Sequence, residues 1–338
     1  MERNHWHIWA FILLVFLMQS CEQAKTTEVQ EIKSDTITAK KEIVKPFDTL
    51  AFRAGADTIW RQLHYLDSNW VKMTPVIPGA LLPFHRIVAF YGNLNSTRMG
   101  ILGELPRQQM ITKLMEEVKI WQQADSSVKV IPALHLIAVV AQRAPGADKK
   151  YRGRMSDQMI KRVISWADSI GAQVFLDIQV GHSTLQEEIP QLDTFLSLPN
   201  VHLGIDAEFA MRGSHVPGTV MGQFEASDVN FAVDHLKKIV KQHHLPPKIL
   251  IVHRFKEMMI QDAHLIHNPP EVQVVMDMDG WGSKELKFST WKRYIEKYPV
   301  QYTGFKLFYK NDTKSGKPLM TPAEVLSRNP KPLYIQYQ

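Results

Sequence analysis

The chain is predicted to fold as a single (β/α)8 barrel, and three observations carry that prediction. Eight β-type runs alternate with seven helical runs along most of its 338 residues. The turn after the first strand, Tyr91-Gly92-Asn93-Leu94-Asn95, lacks the glycine-rich pattern usual in doubly wound open sheets, the competing architecture. Every strand also turns polar on one face near its C-terminal end. Alternation of this kind implies parallel pairing through right-handed crossovers, and eight strands is the number that closes a barrel.

The first 46 residues stand apart. Arg3 precedes an apolar run from Ile8 to Met18, followed by Gln19-Ser20-Cys21. A bilayer span needs roughly 20 apolar residues, so the run is too short to cross and suits a signal-peptide core. The segment resembles a bacterial lipoprotein signal, although Met18 and Gln19 depart from the usual lipobox. That resemblance implies a signal peptide over 1–20 and lipidation of Cys21, the only cysteine. It places the protein in the bacterial cell envelope, held to a membrane by its lipid anchor. An ordinary secretory signal with an incidental cysteine is the alternative. Residues 21–46 are rich in Glu, Lys, Thr and Gln and bury too little to fold, which suits a tether. The domain proper is expected over 47–338.

Composition fits an ordinary globular body, with 45% hydrophobic and 22% charged residues. The net charge of +6 is spread without a Lys/Arg block, so no nucleic-acid partner is expected.

From Phe47 to Ser68 an apolar period predicts a helix ahead of the barrel. Strands are then predicted at Arg86–Gly92, Lys129–Val139, Gln173–Gly181, Val201–Phe209, Lys248–Phe255, Val272–Gly280, Tyr302–Tyr309 and Pro332–Tyr337. Between them the 3.6-residue period predicts helices at Pro106–Gln123, Ser156–Ile170, Leu185–Leu198, Glu225–His244, Lys256–Ile266, Lys284–Lys297 and Thr321–Arg328. Ser156-Asp157, Ser227-Asp228 and Thr321-Pro322 supply helix-start signals.

Side chains alternate across a strand, so parity assigns each residue to the helix face or the barrel interior. In the fourth strand Leu203, Ile205 and Ala207 share one face, while Gly204, Asp206 and Glu208 share the other. The same parity brings Tyr91, His135, Asp177, Gln179, His253, Asp277, Asp279, Lys306 and Gln336 to the interior. A polar ring at the C-terminal ends is where this architecture builds its sites, and unpaired buried charges cost several kcal/mol each. Trp281 and Tyr309, just past strand ends, add aromatic surface suited to stacking on sugar faces. On an extended strand the carboxyls of Asp206 and Glu208 would lie roughly 6–7 Å apart, close enough to raise at least one pKa and supply a general acid.

Asp206-Ala207-Glu208 is similar to the end of the strand-four motif of chitinase-type glycoside hydrolase barrels. That resemblance implies Glu208 as the acid and Asp206 as its neighbour that orients substrate. The family's longer aspartate run is missing, since Leu203 and Gly204 stand upstream. Ala89-Phe90-Tyr91-Gly92, Gly204–Glu208 and Gly304–Tyr309 also resemble an uncharacterised group of secreted bacterial barrel proteins, which supports fold and location more than any reaction.

Three functions fit the ring. In the first, carboxylate catalysis cleaves an oligo- or polysaccharide of the cell envelope or the surroundings. Glu208 and Asp206 then work with Asp277 or Asp177 as base or nucleophile, and Tyr91, His135, Gln179, His253, Asp279, Trp281, Lys306, Tyr309 and Gln336 bind substrate. This function expects no metal and no cofactor. The second is a metal-dependent hydrolase or isomerase with His135, Asp177, Asp206, Glu208, His253 and Asp277 as possible ligands. Against it, strand one has no His-x-His pair. The third is carbohydrate binding without chemistry.

Overall fold

β-branched and aliphatic residues at every second position give eight strands that hydrogen-bond in parallel around a closed loop. In the computed structural model, which describes residues 48–63 and 74–338, these are β1 (His85–Gly92), β2 (Lys129–Ala141), β3 (Gln173–Ile178) and β4 (Val201–Asp206). Then follow β5 (Lys248–Arg254), β6 (Val272–Met278), β7 (Tyr302–Leu307) and β8 (Tyr334–Tyr337). Each strand pairs with its sequence neighbours, and β1 pairs with both β2 and β8, which closes the barrel. The fold is therefore a (β/α)8 barrel, the predicted class. The signal segment, Cys21, the tether and the ends of the predicted first helix lie outside the described residues.

The two parities do what alternation requires. Leu134, Leu136, Leu203, Ile205, Val274 and Met276 join the layer between strands and helices. Ile87, Ala89, Ala133, Phe175, Ile251, Val275 and Tyr302 fill the barrel interior near its N-terminal end. That end is covered by α1 (Thr49–Gln62), whose N-cap Asp48 accepts from the Leu50 and Ala51 N–H groups. Trp60 of α1 stacks on Tyr302 with ring centroids 5.0 Å apart, and Ala56 and Leu63 complete the seal.

Helices span the crossovers at Arg107–Ala124, Asp157–Asp168, Ala226–His243, Lys284–Trp291 and Pro322–Leu326. Two predicted helices are corrected. The Leu185–Leu198 run breaks into Leu185–Glu188, a 3-10 turn at Ile189–Leu192 and Asp193–Leu196, because Pro190 cannot donate to an α-helical ladder. Lys256–Ile266 forms 3-10 turns around the short strand Ile260–Gln261, which pairs with Phe224–Glu225. The Arg254 guanidinium donates to the carbonyls of Lys256 and Glu257, and Asp262 takes a left-handed φ of 52° that interrupts helical geometry.

Four strands stop two or three residues sooner than their hydrophobic pattern suggests, at Ile178, Asp206, Met278 and Leu307. Gln179, Glu208 and Asp279 therefore stand just beyond the ladder. Among the described residues no helix is long and apolar enough to cross a membrane.

Candidate active site

Each strand contributes at least one polar inward group, among them Tyr91, His135, Asp177, Asp206, His253, Asp277, Lys306 and Gln336. None of these is more than 2% exposed, so their energetics depend on one another rather than on water. The Tyr91 hydroxyl donates to Asp177 Oδ2 at 2.9 Å. His253 Nε2 lies 3.5 Å from Asp177 Oδ1, and its Nδ1 lies 3.3 Å from Asp277 Oδ2 and 3.2 Å from Asp279 Oδ2. Lys306 Nζ contacts Asp279 Oδ1 at 2.9 Å and sits 3.9 Å above the Tyr91 ring. Below it, the Tyr334 hydroxyl and the Gln336 amide hold His135 Nδ1 at 2.5 and 3.0 Å.

Above this ring opens a pocket of about 340 Å3. Tyr91, Gln179, Asp206, Glu208, Asp279 and Lys306 provide its polar lining, and Phe209, Phe255, Trp281 and Phe308 its aromatic walls. Trp281 is 56% exposed, a large apolar face turned to solvent at the mouth. Glu208 reaches the pocket by a route that strand parity does not describe. Asp206 Oδ1 accepts the Glu208 N–H at 2.9 Å, which caps the 3-10 turn Ala207–Phe209 and bends the chain off the strand. The separation expected for an extended Asp-x-Glu pair thus does not apply. Gln179 Nε2 donates to Asp206 Oδ2 at 3.1 Å and fixes the other oxygen.

The environment separates the carboxyls into two groups. Burial, then repulsion from Asp206 and Asp279, pushes Glu208 up to about 8. Burial, with repulsion from Asp177 and Asp279, raises Asp206 to about 7. Burial would also raise Asp279, but the Lys306 ammonium and His253 outweigh it and hold Asp279 below the usual range. Asp177 is held well below its ordinary value, against burial, by His253 and His135. Burial raises Asp277 and lowers His135 to about 4, whereas the surrounding carboxylates raise His253 in spite of burial. The pocket therefore pairs a proton-bearing Glu208 on the β4 side with an ionised Asp279 after β6.

Several residues expected to meet substrate lie elsewhere. Asp177, Asp277, His135, His253 and Gln336 are inward but form a tier beneath the pocket, outside its lining. Tyr309 leaves the interior altogether: it follows the end of β7, donates to Glu117 at 2.8 Å and stacks on Tyr337. Tyr91, Gln179, Asp206, Glu208, Asp279, Trp281 and Lys306 do line the pocket. Sequence parity missed Arg98, Met99, Asn311 and Gln338, which also line it. Their one available signal was a position following a strand's C-terminal end.

The closed sheet and its eight-strand ring define a (β/α)8 barrel with an acidic, aromatic-walled pocket at the C-terminal end. No family model and no curated protein matches the sequence. Among solved structures the chain is similar to "Cellulase Cel5C_n", with a TM-score of 0.42 and 13% identity, covering 78% of this chain and 75% of that one. It is also similar to a structure from Cytophaga hutchinsonii, with a TM-score of 0.36 and 11% identity, covering 78% of this chain and 77% of that one.

Proposed function

We propose that the protein is a glycoside hydrolase acting on an oligo- or polysaccharide, tethered in the bacterial cell envelope through Cys21. One observation carries the catalytic part: a proton-bearing Glu208 and an ionised Asp279 line the same aromatic-walled pocket. Glycosidic cleavage needs this pair, an acid for the leaving oxygen and a carboxylate for the sugar carbon or for water. The lipid anchor and location rest on the N-terminal sequence alone.

Glu208 gives its proton to the glycosidic oxygen as the bond from that oxygen to the anomeric carbon breaks. The electron pair of the broken bond stays with the leaving oxygen. Positive charge develops on the sugar ring, where Asp279 either bonds to the anomeric carbon or takes a proton from an attacking water. In the first case the returning Glu208 carboxylate deprotonates the water that releases the product. Lys306 keeps Asp279 ionised, and Asp206 positions Glu208 through its N–H. Trp281 and Phe255 offer flat faces for sugar rings. Asp279 takes the role that sequence parity offered to Asp277 or Asp177, since neither of those lines the pocket.

The test is a glycan panel with Glu208→Gln and Asp279→Asn. Hydrolysis by the native chain and its collapse in both variants supports the assignment, and the anomer first released distinguishes attack by Asp279 from attack by water. Binding without turnover by the native protein would replace catalysis with carbohydrate capture.

A further inference from the structure

We propose that His135, Asp177 and His253 form a binding site for a divalent transition ion of the zinc class, buried under the pocket floor. The site goes beyond the glycosidase assignment and does not depend on it. Three atoms converge there: His135 Nε2, Asp177 Oδ1 and His253 Nε2, all within 4.8 Å of one another. Each belongs to a fully buried side chain, and none has a hydrogen-bond partner. Their separations of 3.6 and 3.5 Å from Asp177 Oδ1 exceed the roughly 2.7–3.2 Å of a hydrogen bond. Ligands about 2.1 Å from a tetrahedral ion stand about 3.4 Å apart, close to the two separations measured from Asp177 Oδ1.

The opposite edges of Asp177 and His135 are fastened by hydrogen bonds, and that of His253 lies beside two carboxylates. Asp177 Oδ2 accepts from Tyr91, His135 Nδ1 is held by Tyr334 and Gln336, and His253 Nδ1 faces Asp277 and Asp279. Such outer contacts set the ring orientation and leave Nε2 pointing at the ion. A hydrogen-bonded core would instead turn these rings so that Nε2 also met a donor or acceptor at short range.

The backbone makes room as well. His135, Asp177 and His253 come from β2, β3 and β5, and the intervening strand β4 contributes Gly204. A Cβ there would lie 2.5 Å from Asp177 Oδ1 and 2.6 Å from His135 Nε2. Any other residue would push into the two ligand atoms, so the missing side chain keeps the convergence open. Two imidazole nitrogens and one carboxylate oxygen form a donor set that favours zinc and its first-row neighbours over calcium or magnesium.

The experiment is calorimetric titration of the chelator-stripped full chain with Zn2+, beside Asp177→Asn and Gly204→Ala. The expected result is one equivalent bound by the native protein, with affinity at least about tenfold lower in each variant. Should a variant fail to fold, the d–d spectrum of the native chain with Co2+ decides. Strong bands of a four- or five-coordinate nitrogen and oxygen site support the proposal, and weak bands of six-coordinate oxygen overturn it. Substoichiometric Zn2+, or affinity unchanged in both folded variants, also overturns it. Glycan hydrolysis measured separately on the stripped protein lets the metal site and the glycosidase assignment fail independently.

Discussion

Replacing Glu208 with Gln keeps the shape of the side chain and removes its transferable proton. With its pKa pushed up to about 8, Glu208 carries that proton in roughly 90% of molecules at pH 7. At the ordinary value of 4.5 the fraction would be roughly 0.3%, so the pocket supplies about 300 times more of the acid form. Losing a general acid slows cleavage by about 10²–10⁴, or roughly 3–5 kcal/mol of barrier. The loss should be large on natural sugar leaving groups and small on activated aryl glycosides, whose oxygen departs without protonation. The native kcat/KM profile should fall above about pH 8, and that limb should vanish in the variant.

Stability should move the other way. Folded Glu208 holds its proton more tightly than the unfolded chain, so its contribution is fully present below about pH 4.5 and is lost as pH rises through about 8. For this half-buried group the loss by pH 7 is on the order of 2–3 kcal/mol. Glu208→Gln does not titrate and should melt no lower than the native chain at pH 8. The assay is steady-state hydrolysis from pH 4 to 9 beside thermal melts at both ends. Activity within about threefold of native on a natural substrate, or an alkaline limb still near pH 8, refutes the role given to Glu208.

Lys306→Met removes the ammonium 2.9 Å from Asp279, so kcat should fall and the acid limb of the profile should move to higher pH; an unmoved limb would detach Asp279 from the reaction. Trp281→Ala should raise KM for oligosaccharides by about tenfold through lost stacking, with Tm unchanged because the ring is mostly in solvent. Trp60→Ala should cost about 3–5 kcal/mol in denaturant unfolding, since it empties the seal beneath Tyr302, yet leave the pH profile in place.

The barrel was legible because strand alternation and helical period differ, and eight runs of the one alternate with seven of the other. The inward ring was legible for the same reason: parity alone puts His135, Asp177 and Lys306 on the interior. Parity gives a face but no depth. Depth depends on the stagger between tilted strands, which only the pairing register reveals. His135, His253 and Gln336 were therefore assigned to substrate although they lie a tier below it. Parity also ends with the strand. Tyr309, two residues past β7, turns outward to Glu117, and Glu208 enters the pocket only because Asp206 caps a turn. The Lys256–Ile266 crossover misled because its carbonyls are satisfied by Arg254 rather than by a helical ladder.

The two tiers divide the labour of adaptation. Every strand sends a member to the inward ring, so a change there alters a network shared by the whole barrel and has few neutral neighbours to drift through. The rim residues Arg98, Phe255, Trp281 and Asn311 stand on separate crossovers. New substrates would thus be acquired by altering one loop at a time while the ring beneath is inherited intact.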